Sequence, residues 1–216
     1  MTKDSFSHVR TWVFDLDNTL YPPRMRLFDQ IEVRMTNWVM ARLGVERDHA
    51  DHLRAHYWAL YGTTLAGLMH EHDIEPMDYL ADVHDIDFSV LEADPQLAGR
   101  IAALPGRRIV YTNGDAPYAR KVLTARGLNG LFDAVYGVEH AGFRPKPERA
   151  AFETVFAIDG LDPARAAMFE DDARNLAAPH DMGMRTVHIA PQAEPAPHIH
   201  HHAEDLSEFL GRLIRT

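Results

Sequence analysis

The chain has 216 residues, 46% of them hydrophobic, and a formal net charge of −10. That size suits one generous domain, or one domain with an insertion, and the acidity argues against polymeric nucleic acid and anionic membranes as partners. The absence of cysteine excludes disulfides, thiolate chemistry and Cys-based metal sites.

VRTWVFDLDNTLYPP (9–23) begins as a buried strand, since Val9, Trp12, Val13 and Phe14 are apolar, aromatic or β-branched. It delivers Asp15 and Asp17, which the alternation of a strand would aim at one pocket, with Leu16 turned away. Asn18, Thr19 and Pro22-Pro23 read as the loop that ends it. From about 24 to 93 no strand signal appears. Phe28, Ile31, Met35, Trp38 and Val39 mark one helical stripe that stops at Gly44. Further helices are expected over 48–61, from Thr64, and from Pro76. The stretch reads as a small helical bundle inserted after the first strand.

Asp94-Pro95 then opens a helix through Leu97, Ile101 and Leu104. RRIVYTN (107–113), AVYGV (134–138), AAMFE (166–170) and RTVHI (185–189) read as strands. They alternate with helices over 115–126 and 147–157, one that Pro179 should shorten, and a closing amphipathic helix over 204–214. With the first strand this makes five, in a parallel sheet covered on both faces.

Four places fall at one edge of such a sheet: Asp15 and Asp17; Thr112-Asn113-Gly114; Lys146 in the loop RPKP; and Glu170-Asp171-Asp172. Each has a bland reading: a capping acid, a turn, a solvated lysine, a helix start. As an ordered set they suit phosphoryl transfer. A carboxylate can attack phosphorus, and Asp15 and Asp171 can offer oxygen ligands to a hard divalent cation. Thr112 and the Asn113-Gly114 amides can meet phosphate oxygens, and Lys146 adds a point charge. Asp17 is placed to protonate the leaving oxygen and then to activate water.

The order FDLDNTL, YTNG, RPKP and FEDDARNL resembles the haloacid dehalogenase (HAD) superfamily of phosphohydrolases over nearly the whole chain. DLDNTLYPP and FEDDARNL further resemble its pyrimidine 5′-nucleotidase branch. The resemblance implies an α/β, Rossmann-like parallel five-stranded sheet, with a core from 1–20 and 94–216 and a helical cap domain at 21–93. It implies Asp15 as nucleophile and metal ligand, and Asp17 as acid/base whose backbone carbonyl also binds metal. Thr112 and Lys146 would bind phosphate, and Asp171 would complete a Mg²⁺ site. Glu170 or Asp172 would act through water or from behind the ligands; relatives often carry Ser where this chain has Asp172. Dehalogenase members lack an acid at the position of Asp17, so phosphate chemistry is expected. The expected substrate is a pyrimidine nucleoside 5′-monophosphate. Phosphoglycolate or a sugar phosphate is the alternative, and a phosphate-sensing module on the same scaffold is the rival of another class.

HIHHHAEDL (198–206) reads as a solvated loop into the last helix, with transition-metal binding as the alternative. His49, His52 and His56 share one helix face, more simply polar than metal-binding. Tyr21, Arg24 and Arg26 are candidates either for contact with a leaving group or for packing where the chain enters the helices. No leader-like segment and no membrane-length apolar run is seen, so a cytoplasmic protein is expected.

Overall fold

The computed structural model describes residues 4–214; positions 1–3 and 215–216 of the expected core segments lie outside them. Six parallel strands form one sheet: β1 (Thr11–Phe14), β2 (Arg107–Tyr111), β3 (Ala134–Tyr136), β4 (Ala166–Glu170), β5 (Arg185–Ile189) and β6 (His201–Ala203). Their spatial order is β3-β2-β1-β4-β5-β6. The chain runs outward from β1 to β3, then returns to β4 on the other side of β1. The crevice beyond the carboxyl ends of β1 and β4 is therefore the topological switch point, where open α/β sheets bind ligands.

Alternation along β1 feeds two apolar layers. Trp12 and Phe14 join one cluster with Phe169, and Val13 joins the other with Met168 and Tyr111. Phe14 and Phe169 stack at 4.8 Å across the central pair of strands, a contact worth about 0.5–1.5 kcal/mol beyond its buried area.

Between β1 and β2 lie α1 (Leu27–Leu43), α2 (Arg47–Tyr61), α3 (Thr64–His72), α4 (Pro76–Val83) and α5 (Pro95–Ala102). The remaining helices are α6 (Ala116–Ala125), α7 (Arg149–Asp159), α8 (Ala177–Asp181) and α9 (Leu206–Ile214). Buried residues of α5, α6 and α9 cover one face of the sheet and those of α7 the other. Helix starts follow capping chemistry. Thr63, Asp94 and Asp115 each accept a hydrogen bond from the first turn of α3, α5 and α6. Gly44 ends α1 at φ +66°, where a side chain would be strained. Among the described residues no helix is long and apolar enough to cross a membrane.

Two expectations are corrected. The first strand stops at Phe14, so Asp15 lies just past its end and Asp17 in the turn that follows, rather than both on the strand. The histidine-rich stretch is a loop only in part: 198–200 stay irregular, with His200 exposed, but His201–Ala203 pairs with Val187–Ile189 as the edge strand β6, so the sheet has six strands rather than the expected five. Its imidazoles serve local backbone: His198 donates to Ala173 O at 2.9 Å and His202 to Ala190 O at 2.8 Å.

Candidate active site

The site begins where β1 runs out. The Asp15 N–H still donates to Phe169 O (2.9 Å), extending the pairing with β4 by one residue and fixing the carboxylate at the sheet edge. Leu20 N–H then bonds Leu16 O at 2.9 Å, folding the chain back at once. Asn18 sits at φ +58°, a left-handed conformation that Asn tolerates, and its amide donates to Asp171 Oδ2 at 3.2 Å.

Lys146 reaches the same place from a loop. Asn113 pins that loop by two bonds, receiving Lys146 N–H at 2.8 Å and donating to Lys146 O at 3.0 Å. The lysine is 1% exposed. Its ammonium donates to Asp15 Oδ1 (2.7 Å), Glu170 Oε2 (2.6 Å) and Tyr111 O (3.1 Å). Those three bonds use every donor an ammonium has. Thr112 is fully buried, and its Oγ accepts the Gly114 N–H at 3.0 Å. The threonine hydroxyl proton is left to donate elsewhere, while the Gly114 amide is already committed.

Ligand atoms of Asp15, Glu170 and Asp171 all lie within 4.8 Å of one another. Asp172 stands apart: it caps the turn after β4 by accepting Arg174 N–H at 3.0 Å, and it holds the Arg174 guanidinium at 2.7 Å. Among the described residues no histidine joins a comparable metal-ligating group, neither at 198–202 nor at His49, His52 and His56.

Burial and the neighbouring charge of Glu170, opposed by Lys146, push the Asp15 carboxyl up to about 8. The same forces, burial and then Glu170 and Asp15, hold Asp171 well above the usual carboxylate range. For Lys146 burial works against the charged form, but the charges of Asp15 and Glu170 outweigh it and raise its pKa. Three carboxyl groups thus crowd together, two of them bound to one ammonium. Crowded oxygens with unbalanced negative charge are a donor set that fits a hard divalent cation.

Asp17 is governed by tyrosines. Tyr21 and Tyr118 both donate to its Oδ1. Burial raises the Asp17 carboxyl, and the two hydroxyls partly offset that. Tyr118 is a residue that sequence reasoning missed. It is the third residue after the α6 cap Asp115, and His84 stacks on its ring at 4.1 Å while bonding Asp115 Oδ1 at 3.0 Å. The capping pattern was readable; its contact with Asp17, across 101 positions, was not. Of the three entrance residues, Tyr21 alone reaches the acids. Arg24 and Arg26 are exposed, and Arg26 pairs with Asp29.

A cavity of about 510 Å³ opens beside Asp17, between the sheet edge at Asn113 and Gly114 and the inserted helices. An adjoining hollow contains Asp15, Thr112, Lys146 and Asp171. Arg174 helps close the two together, its guanidinium 3.5 Å over the Trp58 ring of α2.

A family model for haloacid dehalogenase-like hydrolases matches residues 9–183. Phosphate metabolism protein 8 of Saccharomyces cerevisiae is 26% identical over 199 residues, covering 83% of this chain. The chain spans 61% of that relative's length. CbbY from Rhodobacter sphaeroides, solved in complex with phosphate, aligns at TM-score 0.65 and 15% identity, covering 93% of this chain and 96% of that one. The HAD hydrolase YfnB of Bacillus subtilis, solved bound to magnesium, aligns at TM-score 0.61 and 17% identity, covering 95% and 98%. At such identities the two structures speak for the fold alone.

Proposed function

The chain belongs to the haloacid dehalogenase-like hydrolases, and we propose that it is a Mg²⁺-dependent phosphomonoesterase acting on a nucleoside 5′-monophosphate, pyrimidine by preference. The observation that carries the reading is the pairing of two unlike acids at one cavity. Asp15 is bound to Lys146, and Asp17 is held through one oxygen by two phenols.

In this reading a carboxylate oxygen of Asp15 attacks phosphorus. The bond from phosphorus to the alcohol oxygen breaks, and Asp17 gives that oxygen its proton. Asp17 then takes a proton from water, whose oxygen attacks phosphorus and releases Asp15 and inorganic phosphate. Oδ1 of Asp17 is taken by the tyrosines, so Oδ2 is the oxygen that carries the proton. The Thr112 hydroxyl and the Asn113 backbone N–H hold phosphate oxygens. Lys146 favours the ionised form of the nucleophile against the burial that opposes it, and supplies positive charge to the transferring group. Asp15, Asp171 and the Asp17 carbonyl would hold Mg²⁺, whose charge would offset that of phosphate and carboxylates. Glu170 stands behind them, paired to Lys146.

Residues 21–93 serve as a cap over a core made of 1–20 and 94–216, and the cytoplasm is the proposed location. The magnesium and phosphate bound by YfnB and CbbY, and the name of the yeast relative, agree with this chemistry. A dehalogenase is disfavoured by Asp17, and a non-catalytic phosphate sensor by the retention of nucleophile, acid and lysine together. The test is Mg²⁺-dependent phosphate release from UMP, CMP, dUMP, AMP, phosphoglycolate and sugar phosphates, with Asp15→Asn alongside. Preference for the pyrimidine esters, abolished in Asp15→Asn, is expected. Metal-dependent release that persists in a clean Asp15→Asn preparation would sink the assignment of Asp15.

A further inference from the structure

The cavity beside Asp17 has a second polar end, on the side of the helices. Tyr79 of α4 lines it and is 1% exposed, and its hydroxyl, with Thr64 beside it, makes no well-formed hydrogen bond. Arg54 of α2 lines it too. Its Nη1 donates to Thr36 Oγ at 2.7 Å and lies 3.6 Å from Asp51; its Nη2 lies 3.7 Å from Glu32. The third nitrogen, Nε, is buried and unpaired. Burial keeps the Tyr79 phenol protonated, so both groups are donors. A buried donor left without an acceptor is costly, and two at one cavity ask for a ligand. The walls between them and Asp17 are apolar: Phe28, Ile31, Met35, Leu65, Leu80 and Val83.

We infer that the alcohol esterified in the substrate is a neutral, largely apolar or aromatic body bearing a carbonyl oxygen, which accepts from Tyr79 Oη and Arg54 Nε. The inference deepens the phosphomonoesterase reading and rests on it for the position of the phosphate. Charge decides against an anionic body: Glu32 and Asp51 already outnumber Arg54, so a carboxylate arriving there meets net negative charge. A bare polyol is disfavoured because its hydroxyls would give up water for apolar walls. A flat amide or ureide ring satisfies both conditions.

Binding tests this without catalysis. Calorimetry compares uridine with its phenyl C-riboside analogue, which keeps the ribose and a flat ring but has no carbonyl. The wild type should bind uridine tighter by about five- to a hundred-fold, the span expected of one or two buried hydrogen bonds. Tyr79→Phe and Arg54→Lys should each bring the two ligands closer together. Tyr79→Phe should also change the melting temperature little, because the hydroxyl it removes makes no well-formed hydrogen bond. Equal affinity in the wild type, binding of neither ligand, or a preference untouched in both variants would overturn the inference. Release from 4-nitrophenyl phosphate, followed in parallel, reports on the phosphatase reading by itself. Its absence would remove that reading and leave the binding comparison standing.

Discussion

The hydroxyls of Tyr21 and Tyr118 meet on one oxygen, Asp17 Oδ1, at 2.7 and 2.5 Å. One tyrosine leaves the turn after β1; the other stands in the first turn of α6 with the His84 ring against it. Together they fix which way Asp17 faces. Tyr118→Phe keeps the ring and the stack and removes one donor. A hydrogen bond to a carboxylate is worth about 1.5–3 kcal/mol, so kcat should fall about ten- to a hundred-fold. KM should change little, because the phenol orients the acid rather than the substrate. Steady-state kinetics on one phosphomonoester separates the two constants.

Lys146→Met should destabilise the fold. It leaves Asp15 and Glu170 face to face, with no cation between them, in a nearly water-free site. Breaking a buried ion pair costs about 3–5 kcal/mol. The loss should appear as a lower midpoint in urea at neutral pH. Adding Glu170→Gln to Lys146→Met should recover part of it, since one of the two uncompensated charges goes.

Mg²⁺ should raise the melting temperature of the wild type, and chelator should reverse the rise. Burial and crowding hold protons on Asp15 and Asp171 beside Glu170, and a cation among the three would favour their ionised forms. At a hundred times its Kd a ligand bound only to the folded state adds about 2.7 kcal/mol. Asp171→Asn should shrink the shift at a fixed Mg²⁺ concentration, because an amide replaces one of the carboxylate ligands.

Asp115 links the folded state to acid. Burial pushes its carboxyl up, but the hydrogen bond and charge of His84 and the Tyr118 N–H more than reverse this, leaving it below the usual value. A carboxyl held low in the fold contributes stability above its unfolded pKa and loses it as the pH falls through the folded value. Wild type should therefore melt above Asp115→Asn at pH 7. The gap should begin to close below about pH 4, the ordinary aspartate range.

Much of this protein is legible from its residues in order. Strands β4 and β5 coincide with AAMFE and RTVHI, and α1 runs to the glycine that the apolar stripe points to. Those signals are local: a two- or three-to-four-residue rhythm, a capping acid, a proline or glycine at the end. Strand–helix alternation then places Asp15, Thr112 and Glu170-Asp171 along one edge, because successive parallel strands share their carboxyl ends. The edge strand β6 escapes such reading. It is three residues of His-His-Ala after a proline-rich approach, and only pairing with β5 makes it extended.

What only the tertiary structure decides is which distant groups share a volume. Lys146 meets Asp15 because Asn113 ties down its loop. Tyr118 meets Asp17 because α6 packs on the same face as β1's Trp12 and Phe14. Tyr79 Oη and Arg54 Nε, on different helices, become two donors of one cavity without well-formed hydrogen bonds because α1–α4 close over the sheet edge. No spacing rule encodes these meetings. They follow from burying apolar faces against one another, and the polar atoms carried along find partners, or fail to find them, only once that packing is complete.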